Sequence, residues 1–232
     1  MNNTDTYLQP TPFIDCDNPS VVKDALFAVG TASSDRERAV KLFYAVRDGI
    51  RYDPYRMSVR REDYAASRVL AAGEGFCVQK AVLLAALSRA AGVPCRLRFA
   101  IVKNHLVTRR LRDLMGTDLF AFHGYNEFLL DGRWLKATPA FNLSLCEKFG
   151  LRPLDFDGLS DSILHPFDAE GRRHMEYLHD YGPFDDLPFD LMLREFGKYY
   201  PAIMQALKMR AEMPSGDFER EAEDENRGGD RQ

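Results

Sequence analysis

Apolar positions along the chain switch between helical and strand periods in an order that defines most of its elements. Val21, Val22, Ala25 and Leu26 recur at helical spacing behind Asn18-Pro19-Ser20 and predict a first helix. A second is better marked. Ser34 stands at its cap with Glu37 three residues on, and Ala39, Val40, Leu42, Phe43, Val46 and Ile50 supply the apolar stripe. It ends near Arg51-Tyr52-Asp53-Pro54. Residues 62–72 form a short third helix that closes at Gly73. From Cys77 onward, VQKAVLLAALSRAA is apolar on nearly every face until Gly92 and Pro94 stop it. A helix apolar all round belongs in the centre of a domain.

The period then changes to that of strands. Val93 to Val102 is rich in β-branched and aromatic residues and predicts a strand. Residues 104–120 read as helix plus loop. His123 to Leu130 and Arg133 to Thr138 flank Asp131-Gly132, the signature of a two-residue hairpin turn. That turn pairs Leu130 with Arg133. Continued, the register sets His123 opposite Ala140 and diagonal to Thr138, with Tyr125, Glu127, Trp134 and Lys136 on the same face.

Beyond Phe141 the patterning weakens. Residues 143–150 read as helix, 151–190 carry Asp, Gly, Pro and aromatics with little periodicity, and a last helix covers about 188–211 with a break at Pro201. The segment from Pro214 is charged and nearly without apolar residues, which predicts disorder over 214–232. The expected organisation is one domain over 1–213, with a core at about 20–142 and a C-terminal extension at about 143–213 that is placed to cover a cleft.

Composition narrows the function classes. The 232 residues are 45% hydrophobic, enough to bury a core, and the net charge of -4 offers no basic footprint for nucleic acid. No apolar run reaches the length of a membrane span, and the polar first residues lack a secretory pattern. A cytoplasmic protein with neither nucleic-acid nor membrane partner is expected; oligomeric state is left open. Cys16, Cys77, Cys95 and Cys146 are far apart and form no CxxC pair, so free thiols are expected. His105, His165, His174 and His179 match no standard metal spacing, so neither metal nor cofactor is expected.

Cys77 follows Gly75 at the start of the buried helix. Unpaired amides and the positive end of the helix dipole favour a thiolate there and can stabilise an oxyanion. By position alone, Cys77 also reads as a small buried hydrophobe, and His123 as a structural histidine at a strand start.

Gly-x-Cys opening a core helix, AlaGlyValProCysArg leading into a strand, then HisGlyTyrAsnGluPhe, AspGlyArgTrp and AlaThrPro together resemble the transglutaminase-like superfamily of papain-like folds. The motifs run from about Tyr52 to Asn142. The resemblance implies an α+β fold, with the Cys77 helix packed on an antiparallel sheet that carries His123 and with added C-terminal helices. It also implies a Cys-His-Asp triad in which Cys77 matches the nucleophile and His123 the base.

Thr138 stands where the family usually has Asp. Thr138 itself, Asn142 farther along the strand, or Asp155 or Asp157 folding back are the candidates to orient His123, with Thr138 and Asn142 ahead of the two aspartates. Tyr52, in an Ile-x-Tyr stretch, and Tyr125, on the face of His123, are candidate substrate contacts. Gln79 is expected to point elsewhere, and Trp134 to support the hairpin. The function implied is amide or peptide hydrolysis through a thioester, on a peptide, protein or small-amide substrate. A protein–glutamine transferase and a degenerate binding module are the alternatives.

Overall fold

In the computed structural model, residues 4–105, 107–164, 175–210, 213 and 216–227 are described. Helices α1 (Pro19–Val29) and α2 (Asp35–Gly49) begin where the sequence predicts: the Asn18 side chain accepts from the Ser20 amide and the Ser34 side chain from the Glu37 amide. A short parallel pair follows, β1 (Arg51–Tyr52) with β2 (Glu74–Gly75), flanking α3 (Ala66–Ala72), which Gly73 closes in the left-handed conformation. Helix α4 (Cys77–Ala90) is buried at every position from Cys77 to Arg89.

Two of those buried positions are cationic, and backbone carbonyls satisfy both. The Lys80 ammonium donates to the Arg47 carbonyl at 2.9 Å and to that of Ile50. The Arg89 guanidinium donates to the carbonyls of Cys95, Gln9 and Asp185 at 2.7–3.0 Å. Each long side chain ties the central helix to distant loops, which is how a core helix tolerates buried charge.

One face of α4 meets an antiparallel sheet in the order β5-β4-β3-β6, built from β3 (Cys95–Asn104), β4 (Leu119–Leu130), β5 (Arg133–Ala137) and β6 (Met175–Phe184). The fold is α+β, as expected. Asp131 and Gly132 take φ of 49° and 77°, and the register runs from Leu130↔Arg133 to Asn126↔Ala137, as the turn predicts. It stops there. Strand β5 ends before Pro139, so His123 has no partner at Ala140 and pairs instead with Ala100 of β3.

Three other expectations change. Strand β6 occupies a segment read as irregular. It is an edge strand with four of its ten residues exposed and one buried, so it lacks the alternation that would mark it. Residues 104–120 hold the end of β3, a short helix α5 (Arg109–Met115) capped by Thr108, and the start of β4.

The C-terminal segment read as disordered contains helix α9 (Phe218–Arg227), with Phe218 and Ala222 buried. Its acidic residues are bound: Glu219 accepts from Asn142, Ser144 and Lys148, and Glu221 accepts from Tyr55 and Arg110. Between these elements lie α6 (Leu143–Phe149), α7 (Phe189–Tyr199) and α8 (Pro201–Arg210), the last two separated at Pro201 as predicted.

Candidate active site

Cys77 is the first residue of α4, and its backbone meets β4 directly. A Cβ on Gly124, the residue after His123, would lie 2.9 Å from the Val78 Cα and 3.1 Å from the Cys77 carbonyl oxygen. Only glycine permits this approach. The Gly124 amide then reaches the Cys77 thiol together with the amides of Val78 and Cys77 itself. Burial pushes the thiol up to about 11, and these three N–H groups act against that rise.

His123 sits beside a kink. The β3–β4 ladder is irregular between Ala100 and Val102, and Phe122 adopts φ of 61°, a left-handed conformation that is rare for a bulky residue. Phe122 is held there by full burial and by stacking on Phe99, with ring centroids 4.3 Å apart. Burial alone lowers the His123 pKa, to about 4. No carboxylate of the described residues raises it.

Cys77 and His123 line one cavity with Tyr52, Phe76, Phe196, Tyr200, Ile203 and Met213. Its volume is about 30 Å³, room for water but not for a peptide segment. Cys77 is 6% exposed and His123 4%, so the described conformation is closed. The cover comes from α7, α8 and Met213. Tyr200 fastens it: its hydroxyl donates to the Leu119 carbonyl at 3.0 Å and accepts from the Ala121 amide at 2.6 Å. The C-terminal extension therefore lines the cavity through Phe196, Tyr200, Ile203 and Met213.

The remaining sequence candidates divide clearly. Tyr52 is buried at the cavity, and burial followed by the neighbouring Cys77 raises its pKa. Tyr125 is buried behind His123, its ring nearly parallel at 6.4 Å, and its hydroxyl donates to Asp180 at 3.2 Å. It does not line the cavity, so a substrate contact there is not available in this conformation.

Asn142 does not reach His123. Its Oδ1 accepts from the Tyr52 amide at 3.0 Å and its Nδ2 donates to Ser144 and Glu219, so it holds Tyr52 instead. The reason is that the chain turns at Pro139 and Asn142 becomes the cap residue of α6. Asp155 accepts from Arg47 and Tyr44, and Asp157 accepts from the Leu159 and Ser160 amides in a turn; both are elsewhere.

Gln79 closes the start of α4, accepting from the Phe76 amide and donating to the Asp63 carbonyl. Trp134 lies under the Arg96 guanidinium at 3.8 Å and against Tyr7. His105 contacts Glu176 and His179 packs on Tyr181, whereas His165 and His174 fall outside the described residues.

Thr138 is fully buried. The His123 Nε2, the Thr138 Oγ1 and the Tyr177 hydroxyl each lack a hydrogen bond among the described residues. Tyr177 on β6 presents its ring edge-on to His123, with centroids 6.3 Å apart and planes at 73°. Neither Tyr177 nor Tyr200 was identifiable in the sequence, because β6 and the α7–α8 junction carry no signal relating them to His123.

An α+β domain that brings a thiol on its central helix and an imidazole on its sheet into one cavity has the architecture of papain-like proteins. The model of the transglutaminase-like superfamily matches residues 24–139, and the chain belongs to that superfamily. Among solved structures, it is similar to a candidate cysteine protease from Cytophaga hutchinsonii, at 16% identity and a TM-score of 0.49. That match covers 79% of this chain and 55% of the other. It is also similar to a candidate protease from Parabacteroides distasonis, at 14% identity and a TM-score of 0.38, covering 57% of this chain and 26% of the other. The chain thus spans about half the length of the first and a quarter of the second. No curated protein matches it significantly.

Proposed function

We propose that the protein is a cysteine-dependent acyl-transfer enzyme that hydrolyses amide or peptide bonds through a thioester on Cys77. The observation that carries this reading is the shared cavity, lined both by a helix-start thiol faced by three amides and by the imidazole of His123. At neutral pH both groups are uncharged, because burial raises the thiol and lowers the imidazole.

His123 takes the thiol proton as sulfur bonds to the carbonyl carbon, and amides at the start of α4 receive the oxyanion. The imidazolium then gives its proton to the departing amine as the C–N bond breaks. Water attacks the thioester with His123 as base, releasing the acid and restoring the thiol. A peptide, protein or small amide enters when the cover formed by α7, α8 and Met213 moves, as lids do. With an amine in place of water, the same chemistry is protein–glutamine transfer.

The four cysteines are free and buried, which fits a reducing compartment and supports a cytoplasmic location. No described helix is long and apolar enough to cross a membrane.

A screen of peptide and small-amide substrates beside Cys77→Ala and His123→Ala tests the proposal. Turnover is expected in the wild type and absent from both variants; turnover that survives in Cys77→Ala overturns it. A second reading, a binding module without catalysis, draws on the closed cavity and on Thr138 in place of a carboxylate. Iodoacetamide labelling separates the two: selective modification of Cys77 favours the enzyme, and equal slow labelling of all four cysteines favours the module.

A further inference from the structure

The group that orients His123 is missing from the place where a carboxylate was sought. Asn142, Asp155 and Asp157 are all engaged elsewhere. What surrounds the buried ring instead is hydroxyl chemistry. Thr138 lies just past the end of β5, where its amide donates to the Ser162 carbonyl at 2.9 Å, which fixes the backbone that carries its side chain. Tyr177 reaches the same place from β6, across β3, where Val102 is its partner and Ala100 is the partner of His123.

The Tyr177 ring stands edge-on to His123 at 6.3 Å and to Tyr125 at 6.1 Å, so two packed rings set its position. Its hydroxyl lies close to the Leu164 amide and to the Thr138 hydroxyl without closing a hydrogen bond to either. Three buried polar atoms, His123 Nε2, Thr138 Oγ1 and Tyr177 Oη, are left without hydrogen bonds among the described residues. Buried polar groups nearly always have partners, and leaving one unmade is costly. Joining them would satisfy all three together.

We propose that Tyr177, with Thr138, is the positioning pair for His123, a neutral hydroxyl relay standing where the superfamily usually has a carboxylate. This rests on the reading of Cys77 and His123 as a working pair but is tested independently of it. An acceptor oxygen at Nε2 selects the tautomer protonated there and leaves Nδ1 to take the thiol proton. A hydroxyl does this by geometry, without lending the negative charge that would stabilise an imidazolium. The titratable groups around the ring are Cys77 from α4, Tyr52 from β1, Tyr125 on its own strand, Tyr177 from β6 and Tyr200 from the α7–α8 junction. The carboxylate of Asp180 is bound to Arg98 and Tyr125.

The test is ¹⁵N NMR of the His123 ring, assigned with His123→Gln, in wild type, Tyr177→Phe and Thr138→Asp. Tyr177→Phe keeps the ring and removes one oxygen. The wild-type ring is expected to be a single Nε2–H tautomer. Tyr177→Phe is expected to mix the tautomers or shift the Nε2 resonance, and Thr138→Asp to raise the His123 pKa by roughly one to three units. A ring whose tautomer and titration are unchanged in both variants overturns the proposal. None of these readouts requires turnover, so an inactive protein would overturn the enzymatic reading and leave this one standing or falling by the spectra.

Discussion

Gly124 and Val78 touch backbone to backbone: a Cβ built on Gly124 would lie 2.9 Å from the Val78 Cα and 3.2 Å from its nitrogen. This contact sets the depth to which the start of α4 sinks against β4, and it brings the Gly124 amide to the Cys77 thiol. Gly124→Ala places a methyl where only backbone can yield. It is expected to cost ~1–3 kcal/mol, the usual range for overpacking, and to alter the alkylation rate of Cys77 as the amide withdraws. Urea unfolding measures the first effect, and a variant as stable as wild type would show that α4 is free to shift.

Lys80 makes a prediction in pH. Its ammonium is buried one turn after Cys77, and burial lowers its pKa from 10.5 to about 7. A folded-state pKa below the unfolded value means that the unfolded chain binds the extra proton between those two limits. Stability therefore rises with pH across this window, is fully gained above the unfolded pKa and is lost as pH falls to the folded one. Lys80→Met removes the titration and leaves the Arg47 and Ile50 carbonyls without their donor. The stability of wild type relative to Lys80→Met should rise by ~1.4 kcal/mol per pH unit between about 7 and 10.5. Denaturant unfolding of both proteins at pH 7 and pH 9 reads the slope; a flat difference would mean that the two carbonyls keep the ammonium charged throughout.

How far the sequence reaches follows from what each element depends on. Helix α4 and the β4–β5 hairpin were legible because their signals are local, an apolar run between Gly75 and Gly92 in one case and Asp131-Gly132 in the other. The register held to Asn126↔Ala137 and failed at His123, because Pro139 ends the strand and a bulge at Phe122 turns the other side away. Strand β6 was hidden because an edge strand in a polar segment has no period to show. Tyr177 was hidden with it. Thr138 could be recognised as a departure from the superfamily pattern, but what compensates for it depends on a strand almost forty residues later in the chain.

Helix α9 shows the same limit at the C-terminus and gives a third prediction. A ten-residue helix is marginal alone in water, so α9 exists by docking. Its anchor is Phe218, whose ring lies 5.5 Å from that of Phe149 and 5.8 Å from that of Tyr52. Phe218→Ala removes the anchor, a change that costs ~3–5 kcal/mol at well-packed sites, more than so short a helix can lose. The expected result is local release: fast amide exchange over 218–227 with the α4 and β3 amides still protected, read by mass spectrometry. Retained protection across 218–227 would show that the Glu219 and Glu221 contacts hold α9 unaided.

The protonation state of the Cys77–His123 pair gives the last prediction. In many thiol enzymes a neighbouring imidazolium lowers the thiol pKa, and the nucleophile is ionised well below neutrality. Here burial works on both partners in the opposite sense, lifting the thiol to about 11 and lowering the imidazole to about 4, with no carboxylate of the described residues acting on the ring. The resting pair is then neutral, and the proton leaves sulfur only as the new bond forms. Alkylation of Cys77, followed by peptide mapping, should accelerate about tenfold per pH unit from pH 7 to pH 9 without a plateau. Cys95 and Cys146, pushed to about 12 by burial, should lag behind it at every pH. A rate already at its plateau at pH 6 would mean that an ion pair exists at rest and that a charge not found near His123 is stabilising it. Thr138→Asp supplies such a charge on purpose, and in that variant the alkylation profile should move toward lower pH.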